Sequence, residues 1–180
     1  MALQQKPKHR LAGLSKLRHV VPFQMLKTVC EGIFGSIMVY CLPLIGGCTK
    51  AELHSIQVLQ NKAAQLVTRQ APRTNRDYMY GKLDWLTVNQ LIVYHSLLQV
   101  HRVRYSHEPE YMNQFLSKYS RTGRICIPKI NLTLVMESFM YRGATLWNSL
   151  PSDIRRIEKI RCFKKEIRTW IKKNVPRFLV

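Results

Sequence analysis

The sequence predicts a mainly α-helical bundle with at most one short β-hairpin. Three observations carry that expectation. Apolar residues recur at three- and four-residue spacing in four separate stretches. Two of these stretches open on a Thr-x-x-Glu/Gln pattern, Thr49 with Glu52 and Thr87 with Gln90. In such a capping box each side chain meets an orphan amide of the first turn. Only residues 121–139 show alternation, and it is weak: Ile125, Ile127 and Ile130 around Pro128. Any hairpin is therefore placed at 124–140.

Taken in order, residues 3–18 are polar and basic with Leu11, Leu14 and Leu17 on a weak amphipathic helix. Pro22 suits a first helical turn, and the apolar helix that follows is expected from Phe23 to about Leu42. From Gly32 to Thr49 no residue is charged, a length near the lower limit for a membrane span. Pro43, with Gly46 and Gly47 behind it, should stop the helix near Leu42, so a buried core helix is predicted. Thr49 opens a helix with Leu53, Ile56, Leu59, Ala63 and Leu66 on one stripe and Gln57, Gln60, Asn61 and Lys62 mainly off it. Arg69–Arg76, with Pro72, Thr74 and Asn75, reads as a basic loop. Val88–Tyr105 is a long helix, and Glu110–Leu116 a short one after Pro109. Tyr141–Leu150 is a short helix stopped by Pro151, with Ser152 as the cap of the next. The last helix, Ile160–Asn174, lines Ile160, Phe163, Ile167, Trp170 and Ile171 along one face, with Arg and Lys crowding the remainder.

Composition narrows the function classes. Twenty-nine Lys and Arg face ten Asp and Glu, a formal charge of +19. An excess of that size points to a polyanion, most often nucleic acid, because neutralising phosphates releases condensed counterions. The charge is uneven. No acid precedes Glu31, and from Arg155 to the end ten basic residues face only Glu158 and Glu166. The five cysteines are an odd number with no C-x-x-C pair, so neither a disulfide framework nor a zinc knuckle is expected. Reduced thiols, most of them buried, in an intracellular protein are expected instead. The basic first thirty residues lack a secretory pattern, so the expectation is neither secreted nor transmembrane. His95, His101 and His107 recur every six residues, about 240° apart on a helix, and cannot share a metal on one face.

The residues themselves resemble a family. Leu59-Gln60-Asn61-Lys62-Ala63-Ala64, then Leu66-Val67-Thr68, is similar to the LQNKA-R-I/V-T-G helix of jockey-like non-LTR retrotransposon reverse transcriptases. Asp84-Trp85-Leu86-Thr87-Val88 with Gln90-Leu91 resembles the helix start that follows it, and Tyr94–Leu98 with Pro109-Glu110-Tyr111 the next block. The run Ser138-Phe139-Met140-Tyr141-Arg142-Gly143-Ala144-Thr145-Leu146-Trp147-Asn148-Ser149-Leu150-Pro151 resembles the SF-YRGA-LWNSLP signature, and Phe163-Lys164-Lys165 with Trp170 its closing motif. Order and spacing agree from about Leu14 to Trp170. The chain departs from the pattern where a tryptophan is expected after Tyr40, at Gln65 where Arg is expected, and at Arg69 where Gly is expected.

The resemblance implies the thumb and the segment after it, downstream of the fingers and palm of an RNA-directed DNA polymerase. It implies a helical thumb-like bundle, one unit or two dividing near residue 118 (1–118 and 119–180). Polymerisation needs paired aspartates holding two magnesium ions, whereas this chain has Asp77, Asp84 and Asp153, none adjacent. No catalytic residue, metal, cofactor or small-molecule substrate is therefore expected. The expected partner is the backbone of an RNA or DNA duplex, with the palm domain or a second copy covering any apolar face left open. Candidate contacts are Lys62, Arg69, Arg73, Arg76, Arg142, Arg161, Lys164, Lys165, Arg168 and Lys172; each alone reads more readily as a solvated surface charge, and the cluster on the last helix makes the stronger case. Tyr141 and Trp147 could stack on bases, although core packing suits Trp147 better. Two alternatives stand beside this reading: an independent basic helical nucleic-acid-binding protein, and a membrane-surface protein anchored by its last helix.

Overall fold

The computed structural model describes residues 11–16, 18–32, 49–71, 73–116, 120–121, 123–127 and 138–176. Among these the chain is mainly helical and contains no strand. It divides into two compact units, the first covering described residues up to Asn89 and the second Gln90 to Pro176. The division falls between Asn89 and Gln90, within a continuous helix.

In the first unit, residues 11–16 are helical and bury Leu11 and Leu14. Helix α1 (Phe23–Cys30) follows Pro22 and buries Leu26 and Cys30; the remainder of the predicted apolar helix, 33–42, lies outside the described residues. Helix α2 (Lys50–Thr68) carries the expected capping box: the Glu52 amide donates to Thr49 Oγ1 at 3.4 Å and the Thr49 amide to Glu52 Oε2 at 2.9 Å. Its stripe deepens along the helix, from half-buried Leu53 and Ile56 to buried Leu59, Ala63 and Leu66.

Gln60 corrects the expectation that the polar residues of α2 lie off the stripe, for it is 5% exposed. Its Nε2 donates to the Leu86 carbonyl at 2.8 Å, and its Oε1 accepts from Gln57 Nε2 at 3.1 Å and lies 3.1 Å from Tyr80 Oη. Gln57 Nε2 donates to Tyr80 Oη (2.7 Å) and its Oε1 accepts the Val88 amide (3.0 Å). Asn61 Oδ1 accepts from Tyr80 Oη at 2.8 Å. Buried amides persist only when satisfied, and these are satisfied by the chain they hold in place. The same burial pushes the Tyr80 phenol well above its ordinary range, against the opposing pull of Gln57 and Arg76.

Helix α3 (Arg76–Leu83) is absent from the sequence expectation, which made 69–76 a loop and assigned nothing directly after it. Asn75 caps it by accepting the Asp77 amide at 2.8 Å, and Met79, Tyr80 and Leu83 bury one side. Eight residues with little amphipathic contrast give a weak periodic signal; packing against α2 holds the helix.

The second unit begins on helix α4 (Val88–Ser106), whose first two residues belong to the first unit. Helices α5 (Glu110–Leu116), α6 (Phe139–Ser149), α7 (Ser152–Arg155) and α8 (Ile160–Asn174) follow. Leu97, Val100, Val103, Trp147, Phe163, Ile167 and Ile171 are fully buried. Trp147 is therefore core, as its place between Leu146 and Leu150 suggested. Gly143 lets α6 approach α4: a Cβ there would sit 3.0 Å from Val100 Cγ2. Ser138 caps α6 through the Tyr141 amide. Pro151, not Ser152, is the N-cap of α7, and Ser152 is its first helical residue.

Most of the hairpin expected at 124–140 lies outside the described residues. Its described beginning is held by a side chain. Asn148 Oδ1 accepts the Ile125 amide at 2.8 Å and Asn148 Nδ2 donates to the Ile125 carbonyl at 2.9 Å, while Trp147 Nε1 donates to the Gly123 carbonyl at 3.1 Å. A single amide side chain thus supplies the pair of bonds that an antiparallel partner strand would supply.

Candidate nucleic-acid interface

Helix α8 has no side-chain N-cap and no acid in its first turn. Its stability comes from burial. Phe163, Ile167 and Ile171 are all 0% exposed, and Ile160 and Trp170 are half-buried at the margins. At about 100° per residue, these five side chains fill an arc of about 100°. Arg161, Lys164, Lys165, Arg168 and Lys172 fill an adjoining arc of similar width, running about 16 Å along the axis. Arg161, Lys164, Lys165 and Lys172 are exposed and Arg168 is half-buried. Arg168 and Lys172 also have partners within the protein. The helix carries six cations and one carboxylate, Glu166.

Arg142, on α6 of the same unit, is half-buried and partnered, so it is not a freely presented cation. The remaining candidates lie in the first unit. Lys62 is exposed on α2, Arg73 exposed in the α2–α3 turn, and Arg76 exposed at the first residue of α3. Arg69 is the α2 C-cap in left-handed conformation, φ 56°, and its Nη2 donates to the Val21 carbonyl at 2.6 Å. The side chain is exposed, but this bond ties its guanidinium to the fold. The ten predicted cations therefore fall into four in the first unit, Arg142 on α6 and five on α8, and only the α8 set is a continuous stripe. Tyr141 is half-buried.

Two neighbours shape the electrostatics behind α8. His101 is 2% exposed, stacked on Phe163 at 4.2 Å, and its Nε2 lies 2.8 Å from the Ile157 carbonyl. Because the partner is a carbonyl, Nε2 carries the proton. Burial lowers the His101 pKa below its usual value, against the Ile157 bond and with Arg104. His95 is lowered too, by burial and then by Arg102 and Lys164. Among the described residues no group of three or more His, Cys, Asp or Glu could hold a metal ion, and no helix is long and apolar enough to cross a membrane. Of the three described cysteines, Cys30 is buried, which pushes its pKa up to about 11, and Cys126 and Cys162 are exposed; Cys41 and Cys48 lie outside the described residues.

The sequence expectation did not single out Arg104, Arg124, Arg155 or Arg156. Arg155 is 5% exposed, and its Nε and Nη1 have no hydrogen-bond partner among the described residues. A charge at the surface and a charge in the core read alike in a sequence, so no pattern marked it.

Compared with protein-family models, with curated proteins and with solved structures, the chain matches none.

Proposed function

We propose that this chain is the thumb and downstream region of a non-LTR retrotransposon RNA-directed DNA polymerase, and that it binds nucleic-acid duplexes through their backbone without polymerising. The cationic stripe of α8 carries the binding part. Five cations over about 16 Å match the spacing of a phosphate track, one phosphate per about 3.4 Å of each strand. The polymerase relation rests on the order and spacing of the motifs. The left-handed C-cap at Arg69 supports it, because the family pattern has Gly at that place and Gly is the residue such a cap favours. The buried stripe of α8 favours nucleic acid over a lipid surface: Phe163, Ile167 and Ile171 already face the unit's own core and are not available to enter a bilayer.

The test is the salt dependence of duplex binding. Replacing Arg161, Lys164 and Lys165 with Gln changes three exposed residues and leaves the buried stripe intact. Each phosphate contact contributes about −0.9 to the slope of log affinity against log salt, so the triple variant should bind with a slope shallower by about 2–3. Unchanged affinity and slope would show that α8 is a solvated face.

A further inference from the structure

The second unit holds a guanidinium cluster apart from the α8 stripe. Arg155 closes α7 and is 5% exposed, with Nε and Nη1 unpartnered. The segment behind it is pinned to α4: Tyr105 Oη donates to the Arg155 carbonyl at 2.8 Å, and His101 Nε2 holds Ile157. Arg104, also from α4, donates Nη1 to the Gly123 carbonyl at 2.9 Å and lies over the Trp147 ring at 5.5 Å. Gly123 has φ +70°, and a Cβ there would come within 3.2 Å of Arg104 Nη2, so the glycine both makes the turn and seats the guanidinium. Arg124 follows it directly, and Arg156 follows Arg155; both are exposed. After burial, the groups that disfavour the charge on Arg155 are Arg124, Arg104 and Arg156.

A buried charge ordinarily has a partner, and leaving its donors unmade is costly. Here the surroundings add like charge, so the missing partner is an anion. The guanidinium edge that grips a tetrahedral oxyanion side-on is Nε with Nη2, and the unpartnered Nε of Arg155 lies on it. We propose that Arg155, flanked by Arg104, Arg124 and Arg156, binds a single phosphate group. Arg155 supplies its buried Nε as the donor, and exposed Arg124 and Arg156 neutralise the second negative charge that a phosphate monoester or orthophosphate carries. The site takes one group, unlike the diester track proposed for α8, and does not depend on the polymerase relation.

Thermal melting with inorganic phosphate, against chloride at equal ionic strength, tests it. At phosphate about tenfold above its dissociation constant, the wild-type midpoint should rise by about 3–6 °C. Arg155→Met should abolish the rise without lowering the midpoint in chloride, because it removes an unpaired buried charge. Arg124→Gln, an exposed change, should at least halve the rise. No phosphate-specific rise in the wild type overturns the proposal; so does a full rise in Arg124→Gln, whether or not Arg155→Met folds. The Arg161, Lys164 and Lys165 triple variant should keep the rise, which separates this test from that of α8. A 5′-phosphorylated strand that binds about tenfold tighter than its 5′-hydroxyl twin, with the advantage lost in Arg124→Gln, would identify a strand end as the source. Equal binding of the two strands, with the phosphate rise intact, would identify a free phosphate or small phosphomonoester.

Discussion

Lowering the pH through the histidine range should destabilise this protein through His101. The imidazole is enclosed by Phe163 at 4.2 Å, Tyr105 at 4.7 Å and Trp147 at 6.5 Å. Burial is the largest influence on it and disfavours the imidazolium; the Ile157 bond opposes burial, and Arg104 reinforces it. The folded-state pKa therefore lies below the unfolded value near 6.5. Below that value the unfolded chain binds the extra proton, so protonation favours unfolding. The stability linked to His101 is complete above about pH 6.5 and is lost as the pH falls from there towards the folded-state pKa. One proton sets a ceiling of about 1.4 kcal/mol per pH unit. His95 adds in the same direction, but it is only half-buried and contributes less. The capping carboxylate Glu52 has a pKa lowered below 4.5, chiefly by the Thr49 amide, so its own loss falls at more acidic pH and does not mask the effect. Urea unfolding at pH 7.5, 6.5 and 5.5, at fixed ionic strength and followed by circular dichroism, should show the midpoint falling across the last interval. His101→Gln should remove much of that fall. If the variant keeps the wild-type pH dependence, His101 is not the linked group.

Phe163→Ala should cost about 3–5 kcal/mol, a large share of the roughly 5–15 kcal/mol that stabilises a typical domain; a shift in the urea midpoint worth less than 1 kcal/mol would mean that Phe163 is not at the centre of the second unit's core. Arg69→Gly should stabilise the first unit by about 0.5–1 kcal/mol, because relief of the left-handed backbone, worth about 1–2 kcal/mol, outweighs an exposed hydrogen bond to Val21 worth about 0.5–1.5 kcal/mol. A lower urea midpoint for that variant would mean that the Val21 bond dominates. Given primer–template, magnesium and nucleotides, the purified chain should show no extension above background, and template-dependent incorporation that survives further purification would refute the proposed lack of polymerisation.

Most of the helices are legible in the order of the amino acids. Ile160–Asn174 is found with the bounds its five-residue apolar stripe implies, because a strong 3.6-residue period permits one buried face and hence one orientation. The start of α2 was equally legible, since a capping box acts within four residues and needs no tertiary partner. The cationic stripe beside Phe163 and Ile167 follows from the same periodicity. Other features needed the folded chain. Helix α3 is short and weakly patterned, and it exists because Met79, Tyr80 and Leu83 find a surface to cover. Gln60 is polar by composition and buried by position, because the Leu86 carbonyl and the Tyr80 hydroxyl stand where its amide can reach both. Ile125 has its backbone bonds supplied by Asn148, 23 residues away. Arg155 lies in a basic run and reads as solvated, yet Tyr105 and His101 fix its segment and its side chain is buried. Periodicity and capping act over one or two helical turns, so a sequence displays them directly. Burial of a polar group depends on what distant segments bring to it, and that is settled only when the chain has folded.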